Sequence, residues 1–405
     1  MDPALLAGLT HDLWIEDRAA HAYSLYRLHE SQLCGERRPL RNLGNLLRDL
    51  NRFEDADLAY AMAMLATVRS GPSEEYVGSA WNRSQILIGL ERYPQAYTLA
   101  EQRLQRGDWH PWRPPPFWQG FADLAQGLQG DARFLTLWSE QGLGDTLQYL
   151  RWLPLLRRRC PGLPLKLEVE ANLVPLLKRG LAWLDAGLTI APKGCDPRPD
   201  PHLCHGSLLS LPWLLGGAPA VEFCPYLRDP LWHWAQRAPR NRPPRVGLVW
   251  ASGRKLDDPF MEREYIRRSL PPAPLQRLLQ GLHHAGAELV MLQHGDDRER
   301  PGAATALFSE RLPASAGFAE TADRLAQLDL VISVDTAMAH LLGALGAPGW
   351  ILLPWAADPR WLRDREDSPW YPSLTLLRQP SQRDWQGLVD RVLKRFGRWR
   401  QRSGR

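Results

Sequence analysis

The stretch Asp329-Leu-Val-Ile-Ser-Val-Asp335-Thr-Ala-Met-Ala-His340 decides the fold class of the second half of this chain. Its apolar run, residues 330–334, predicts a buried strand. Asp335 and Thr336 then offer two good helix caps, and a helix of small residues follows to about Gly346. The first N–H groups of such a helix point into the crevice above the sheet, where doubly wound folds hold phosphates. The stretch therefore predicts a nucleotide-phosphate site.

The length and charge of the chain limit what it can be. Its 405 residues suffice for two or three domains. The net charge of +5, from 50 basic and 45 acidic residues, is too small to indicate nucleic-acid binding. The five cysteines lack paired spacing, which favours a reducing compartment. Because we find neither a leader nor a run of about 18 apolar residues, we expect a cytoplasmic protein.

Basic residues gather at the C-terminus around Phe396 and Trp399. They are Lys394, Arg395, Arg398, Arg400, Arg402 and Arg405. A solvated tail is the simpler interpretation. The alternative is weak contact with an anionic membrane surface, because each such charge contributes roughly 1 kcal/mol near anionic lipid.

Residues 1–108 are predicted to form helical hairpins. Phe53 and Tyr93 each follow a short turn after a helical segment, and Ala56 and Ala96 come three positions later, so the pattern recurs after 40 residues. This order of helix, turn, aromatic and small residue is similar to that of tetratricopeptide repeats, whose usual period is about 34. With one earlier hairpin there would be two to three repeats, which are enough to stack.

A connector rich in proline and tryptophan covers residues 109–130, where proline prevents a continuous helix. Strands and helices then alternate in two blocks, 131–240 and 241–383, and a C-terminal helix with its basic tail covers 384–405. This alternation predicts parallel sheets. We expect two doubly wound, Rossmann-like domains that face each other across a cleft.

The first block carries the motif Glu140-Gln141-Gly142-Leu-Gly144-Asp145 directly after a predicted strand. The two glycines permit a tight turn and a close approach of a ligand to the backbone, although the spacing does not match the dinucleotide fingerprint. The structural interpretation is a helix cap in a tight turn. The functional interpretation is that Asp145 faces the cleft and takes the proton of a sugar hydroxyl as a general base.

The second block adds positive charge near the predicted phosphate site. Arg267 and Arg268 precede a predicted helix, and a diphosphate leaving group needs such charge in the transition state. A solvated pair before a helix is the alternative. Asp335 would repel phosphate, so we expect Thr336 and the backbone amides to make the contacts. His340 lies one turn further on, where a packing role is the alternative to a ligand contact.

Five motifs in this sequence occur in a recognisable order. They are Gln141-Gly-Leu-Gly-Asp145 with Arg151 and Pro154, Gly247-Leu-Val-Trp250-Ala, Arg268-Ser-Leu-Pro271, Val331 to Leu341, and Ser368-Pro-Trp370-Tyr-Pro372. Together they resemble the heptosyltransferase-type glycosyltransferases (family 9), and more closely the bacterial members with a tetratricopeptide N-terminus. The resemblance covers roughly residues 116–393. It implies the two-domain GT-B fold and sugar transfer from a nucleotide-diphosphate donor, with no cofactor and no required metal.

The resemblance assigns roles on the acceptor side of the cleft. Asp145 matches the catalytic base of the family at the start of the first helix. Gln141, Gly142 and Gly144 form the loop beside it.

The resemblance also assigns roles on the donor side. Arg268 and Ser269 lie near the basic contact that the family makes with the donor phosphates. The turn from Asp335 through Thr336 and Ala337 to His340 matches the phosphate-binding helix start. Asp297, or alternatively Glu299, falls where the family contacts the donor ribose.

Two departures and one rival site accompany the resemblance. Acidic residues in the predicted loop 255–264 obscure which basic residue meets the phosphate. Heptosyltransferases of lipopolysaccharide lack the helical repeats, so heptose is not implied as the donor sugar. Cys195, His202, Cys204 and His205 suggest zinc, but their spacing is irregular. We therefore expect no metal site.

These observations predict an inverting, metal-independent glycosyltransferase. The helical repeats would present the acceptor, which is a protein or a lipid-linked glycan. A non-catalytic scaffold that binds peptides through its repeats is an alternative, and a sugar epimerase on the same fold is another.

Overall fold

The computed structural model contains a helical unit followed by two α/β units, each built on one parallel sheet. The residues described are 3–33, 37–68, 73–105, 135–184, 187–194, 204–217, 219, 221–234, 242–254 and 258–403. The predicted connector, 109–130, lies outside them. Within them, the predicted helical N-terminal region and the predicted parallel α/β units are confirmed.

Hairpins of helices form the N-terminal unit. The helices are α1 Pro3–Ile15, α2 Ala19–Leu28, α3 Glu30–Leu33, α4 Arg37–Asp49, α5 Phe53–Val68, α6 Glu74–Gly89 and α7 Tyr93–Ala100. The turns after α1, α4 and α6 share one geometry, with a left-handed residue at Asp17 (φ 57°), Asn51 (φ 57°) and Glu91 (φ 58°). In each turn the N–H of the following residue donates to the carbonyl five positions earlier. The first two turns are 34 residues apart and the next two 40, so one hairpin design occurs three times.

Small residues allow these hairpins to pack closely. Ala56 and Ala96, the small residues of the recurring pattern, are fully buried. A Cβ built on Gly89 would lie 2.7 Å from the ring of Phe53. The aromatic and small residues that recur in the sequence are therefore contacts between helices.

The first α/β unit is a four-stranded parallel sheet in the order β3-β2-β1-β4. Its elements are β1 Leu135–Trp138, α8 Leu143–Tyr149, α9 Leu153–Arg159, β2 Leu165–Val169, α10 Val174–Gly180, β3 Leu188–Pro192, β4 Cys204–Ser207 and α11 Leu211–Leu215. A 3-10 turn, Leu150–Trp152, separates α8 from α9. The order of the strands reverses between β1 and β4, and α8 begins beside that point.

The second α/β unit is a six-stranded parallel sheet in the order β10-β9-β8-β5-β6-β7. Its elements are β5 Arg245–Val249, α12 Pro259–Arg268, α13 Pro272–His284, β6 Glu288–Met291, β7 Phe308–Arg311, α14 Phe318–Leu325, β8 Leu330–Val334, α15 Ala337–Leu345, β9 Gly349–Leu353, β10 Leu374–Arg378 and α16 Trp385–Ser403. Here the strand order reverses between β5 and β8, at the stretch that opened the sequence analysis.

Three elements of this unit differ from the sequence expectation. β7 and β10 are the edge strands of the sheet and were not predicted. In β7 only Phe308 is buried, so its sequence lacks the apolar run of a central strand. Residues 255–264 were interpreted as a loop, yet α12 begins at Pro259, and Asp258 caps it by accepting the N–H of Met261 at 2.8 Å.

The helical unit docks on the second α/β unit through Asp49, at the end of α4. Asp49 accepts the indole N–H of Trp14 at 2.7 Å, forms an ion pair with Arg263 and lies 3.5 Å from Arg267. Burial acts to raise the pKa of Asp49, but the neighbouring guanidinium groups outweigh it and hold that pKa well below its ordinary value. A carboxylate from one unit thus anchors two arginines of α12 in the other.

The C-terminal helix α16 packs on the second unit. Phe396 is fully buried, Trp399 stacks on it at a centroid distance of 5.5 Å, and Arg395 pairs with Glu366 at 2.8 Å. Phe396 therefore belongs to the core and is not free to enter a membrane. In the described part of the chain, no helix has both the length and the apolar character that crossing a bilayer requires.

Candidate active site

The two points where strand order reverses bring Asp145 and Thr336 to one region, because α8 packs directly on α15. A Cβ built on Gly144 would lie 2.8 Å from Cδ2 of His340 and 3.5 Å from the Cα of Ala337. Any larger residue at 144 would therefore push the two helices apart. The second glycine of the first motif serves this contact between domains.

Asp145 lies in the first turn of α8, where a negative charge is favourable to the helix dipole. Its side chain is 25% exposed, and its Oδ1 accepts a hydrogen bond from Nη1 of Arg360 at 2.8 Å. The same Nη1 donates to Oε1 of Gln148 at 2.7 Å. The predicted base is therefore open to the cleft and held by a cation from the opposite domain.

The start of α15 is built as a capped helix. Oγ1 of Thr336 accepts the N–H of Met338 at 3.1 Å, and Thr336 and Ala337 are both partly exposed. Asp335 is buried just before them. Burial raises the pKa of Asp335 above its ordinary value, against the opposing charge of Arg268. This helix start can accept an anion at its remaining N–H groups.

The two adjacent arginines that end α12 differ in how many hydrogen-bond and ion-pair partners their side chains have. Arg267 pairs with Glu264 at 2.8 Å and donates to the carbonyl of Ala356 at 2.7 Å. The one hydrogen bond that Arg268 makes to described residues runs from Nε to the Glu264 carbonyl at 3.2 Å. The Nη groups of Arg268 are thus the better candidates for a ligand contact.

Arg360 is the central residue that sequence reasoning missed. It lies on a 3-10 turn, Pro359–Trp361, between β9 and β10, and pairs with Asp358 (Nε to Oδ1, 3.1 Å) as well as with Asp145. Burial acts to lower its pKa, but these carboxylates outweigh it and raise the pKa of Arg360 well above the ordinary value. The available signal was a charged Asp-Pro-Arg turn in the loop after a predicted strand.

A cleft of about 420 Å³ lies where the three units meet. The helical unit contributes Arg48, Asp49, Trp81, Asn82 and Gln85. The first α/β unit contributes Gln141, Asp145, Tyr149 and Leu209. The charged residues of the second α/β unit that line it are Glu264, Arg267, Arg268, Asp335, Asp358 and Arg360. A molecule in this cleft would contact all three units, whereas the sequence predicted a cleft between two.

His340 lies in the core below the cleft. Its Nδ1 is 2.9 Å from the hydroxyl of Tyr371, and its ring stacks on Trp361 at a centroid distance of 5.4 Å. Burial, together with the positive charge of Arg360 and other nearby arginines, lowers the pKa of His340 well below its ordinary value. The side chain is therefore neutral and packed, and its contact with a donor stays a prediction.

Arg151 and Trp370, from two of the motifs that carried the resemblance, are in contact. Arg151 is completely buried, and its Nη1 donates to the carbonyl of Trp370 at 2.8 Å. Its guanidinium carbon lies 4.6 Å from the ring centroid of Tyr371, a cation–π contact. These residues join the first α/β unit to the second beside the cleft.

Of the predicted donor contacts, Arg268 and Asp335 line the cleft, whereas Ser269, Asp297, Thr336, Ala337 and His340 do not. Oγ of Ser269 accepts the N–H of Ser252 at 3.2 Å. Asp297 pairs with Arg300 at 2.6 Å and accepts the hydroxyl of Tyr265 at 2.7 Å. These contacts give both residues structural roles, and their contact with a donor stays a prediction.

The alternative zinc site is only partly described. Cys195 and His202 lie outside the described residues, while Cys204 and His205 are neighbours in β4, where successive side chains point to opposite faces. Nδ1 of His205 accepts the indole N–H of Trp138 at 3.1 Å. Among the residues that the structure describes, no group of three or more His, Cys, Asp or Glu could hold a metal ion.

None of the protein-family models matches this sequence. Protein FlbA of Caulobacter vibrioides is 28% identical over 359 residues, which cover 81% of this chain. The chain spans 56% of the length of that relative.

The structure is similar to solved structures of glycosyltransferases. E. coli ADP-heptose LPS heptosyltransferase II matches at 14% identity over 67% of this chain and 100% of that chain, with a TM-score of 0.46. E. coli heptosyltransferase WaaC with ADP matches at 15% identity over 66% and 100%, with a TM-score of 0.44. A mutant of Thermobaculum terrenum O-GlcNAc transferase matches over 100% of this chain and 93% of that chain, at 12% identity and a TM-score of 0.26.

Proposed function

We propose that this protein is a glycosyltransferase that moves a sugar from a nucleotide-diphosphate donor to a protein or glycan acceptor. One observation carries the proposal. Asp145, in the first turn of α8, and Asp335, the residue just before the capped start of α15, line one cleft from two doubly wound units. This pairing supplies a base on one side and a phosphate site on the other, which sugar transfer requires.

The proposed reaction uses a base on the acceptor side of the cleft and phosphate contacts on the donor side. Asp145 takes the proton of an acceptor hydroxyl while its oxygen attacks the anomeric carbon of the donor sugar. The bond from that carbon to the diphosphate breaks, and the diphosphate leaves towards Arg268 and the first N–H groups of α15. Attack opposite the leaving group inverts the anomeric carbon. Arginine and helix amides supply the positive charge for departure, so we propose that no metal is required.

The acceptor is proposed to lie against the helical unit, whose hairpins we take to be tetratricopeptide-like repeats. Trp81, Asn82 and Gln85 of α6 line the cleft beside Asp145. An indole face can stack on a sugar or an aromatic side chain, and the two amides can both donate and accept hydrogen bonds. A protein segment or a lipid-linked glycan that follows the helical unit would thus reach the base.

A test combines a donor panel with an isosteric variant. Release of nucleoside diphosphate from a panel of nucleotide sugars is measured with and without a candidate acceptor. Asp145→Asn should lower the rate of transfer by at least about 100-fold, the usual contribution of a general base. Asp229→Asn is the matched control, since Asp229 also pairs with an arginine (Arg179, 3.1 Å) but is not among the cleft residues.

The outcomes separate the alternatives. Transfer at the wild-type rate in Asp145→Asn would remove the base from the proposal. Failure of every nucleotide sugar to bind would favour a peptide-binding scaffold. Release of free sugar and nucleotide without any acceptor would favour an epimerase.

A further inference from the structure

Arg360 occupies a position that conflicts with catalysis by Asp145. Its Nη1 is 2.8 Å from Oδ1 of Asp145, and its Nε is 3.1 Å from Oδ1 of Asp358. Asp335 is near enough to interact with it electrostatically. One cation from the donor side is thus shared among three carboxylates, one of which is the proposed base.

This pairing limits what Asp145 can do in the free protein. A general base must turn an oxygen lone pair towards the proton that it takes. Oδ1 of Asp145 already accepts a charge-assisted hydrogen bond, which is roughly twice as strong as a neutral one. Gln148 accepts from the same Nη1 at 2.7 Å and fixes its direction. The free protein therefore holds its base in an ion pair.

The other cations of the cleft show what a diphosphate would meet on entry. Arg48 pairs with Asp49 at 3.1 Å, and Arg267 pairs with Glu264 at 2.8 Å. Apart from Arg268, the cleft arginines are therefore committed to carboxylates before any ligand arrives. Any second guanidinium for a bound diphosphate would have to come from an existing pair.

Arg360 is the arginine best placed for such an exchange. Asp358 of the same turn holds its Nε, so a small swing of the whole planar guanidinium would carry both Nη groups away from Asp145 while the residue stays at the cleft. Nη2 makes no hydrogen bond to any described residue. A phosphate presents more negative charge than one carboxylate and offers oxygens that match the guanidinium fork.

We propose that Arg360 couples donor binding to release of the base: it holds Asp145 in the free protein and transfers its Nη groups to the donor diphosphate when the donor binds. The inference rests on the proposed function. It makes binding ordered, because the acceptor hydroxyl meets a free carboxylate only after the donor is in place. Arg360 then also stabilises the leaving group.

The experiment is a double-mutant cycle that reads nucleotide binding by calorimetry and does not depend on transfer. ADP, GDP, UDP and CDP are titrated into the full chain, and the tightest binder is kept. Asp145→Asn removes the competing charge, so this nucleotide should bind about fivefold more tightly than to the wild type. In an Arg360→Gln background, where binding is weaker, the same change should alter affinity by less than about twofold. Arg360→Lys retains a cation without the fork and provides a second background, with intermediate coupling expected.

The outcomes distinguish the inference from the function on which it rests. Equal affinity of Asp145→Asn and the wild type would overturn the exchange while leaving a nucleotide-binding protein. Equal tightening in all backgrounds would show a general charge effect and would also overturn it. If the wild type binds none of the four nucleotides, the proposed function fails and the inference fails with it.

Discussion

Replacement of Gly144 by alanine tests whether the contact between α8 and α15 fixes the site. The new Cβ would lie 2.8 Å from Cδ2 of His340, below the separation that carbon atoms tolerate. The ring of His340 cannot easily retreat, because it stacks on Trp361 and its Nδ1 is 2.9 Å from the hydroxyl of Tyr371. The two helices must therefore separate or the packed ring must shift.

The expected change in the free energy of unfolding is the sum of two opposing contributions. Overpacking a buried contact costs about 2 kcal/mol, while alanine in place of glycine inside a helix gains about 1 kcal/mol. We expect Gly144→Ala to destabilise the protein by about 1 kcal/mol. In a His340→Ala background the clash is absent, so Gly144→Ala should become stabilising, and this reversal of sign is the specific prediction.

The assay is urea unfolding of the four variants of the cycle, followed by fluorescence and circular dichroism so that coincident transitions establish two-state behaviour. Gly142→Ala is the control, because its Cβ would lie at an ordinary 3.6 Å from Oδ2 of Asp145 and its φ of −69° suits any residue. It should change stability by less than about 0.5 kcal/mol. The same change in unfolding free energy for Gly144→Ala in both backgrounds would refute the steric reasoning.

Three further predictions concern buried charge. Because the pKa of His340 is lowered by burial and nearby arginines, the folded protein keeps it neutral while the unfolded chain takes up a proton below about pH 6.5. Stability should therefore fall between pH 7 and 5, by up to about 1.4 kcal/mol per pH unit, and His340→Gln should show a shallower fall in urea titrations. Arg151→Met removes the guanidinium donor to the carbonyl of Trp370, which keeps only the thiol of Cys224 at 3.4 Å, and should cost about 2–4 kcal/mol in unfolding free energy, whereas no loss would contradict its role as a link between units. Asp49→Asn removes a buried carboxylate from Arg263, which also pairs with Asp17 and Glu264, and should cost about 3 kcal/mol in unfolding free energy, with faster proteolysis of the helical unit; unchanged proteolysis would count against Asp49 as the anchor.

Much of the architecture was predictable, because the periodicity of apolar residues indicates where strands and helices lie. β8 and α15 occupy the predicted positions, since a central strand is apolar throughout and a Thr cap marks the helix start. The hairpin turns at Asn51 and Glu91 were implied by the recurring aromatic and small residues. The edge strand β7 and the charged helix α12 were missed, because elements with little burial carry a weak apolar signal. The edge strand β10 was also missed, although Leu374, Leu376 and Leu377 are buried in it.

The candidate site was predicted less completely. Asp145 and Thr336 could be proposed because each lies where a strand passes into a helix, and such points meet at the edge of a parallel sheet. The contact of Asp297 with the donor rests on resemblance and stays a prediction, whereas Arg360, which pairs with Asp145, was not predicted at all. A side chain's partner depends on segments far away in the sequence, which one local motif does not reveal.

The sequence by itself determined the helical hairpins, the two α/β units and the positions of Asp145 and the capped start of α15, since these follow from local propensity and periodicity. Only the tertiary structure decided that Arg360 holds Asp145, that Gly144 fits against His340, and that the helical unit forms one wall of the cleft. Each of these facts joins residues about 200 or more positions apart or places a whole unit, as with the 215 positions between Asp145 and Arg360. Such contacts arise from packing and electrostatics across the assembled chain, which no single stretch of sequence encodes.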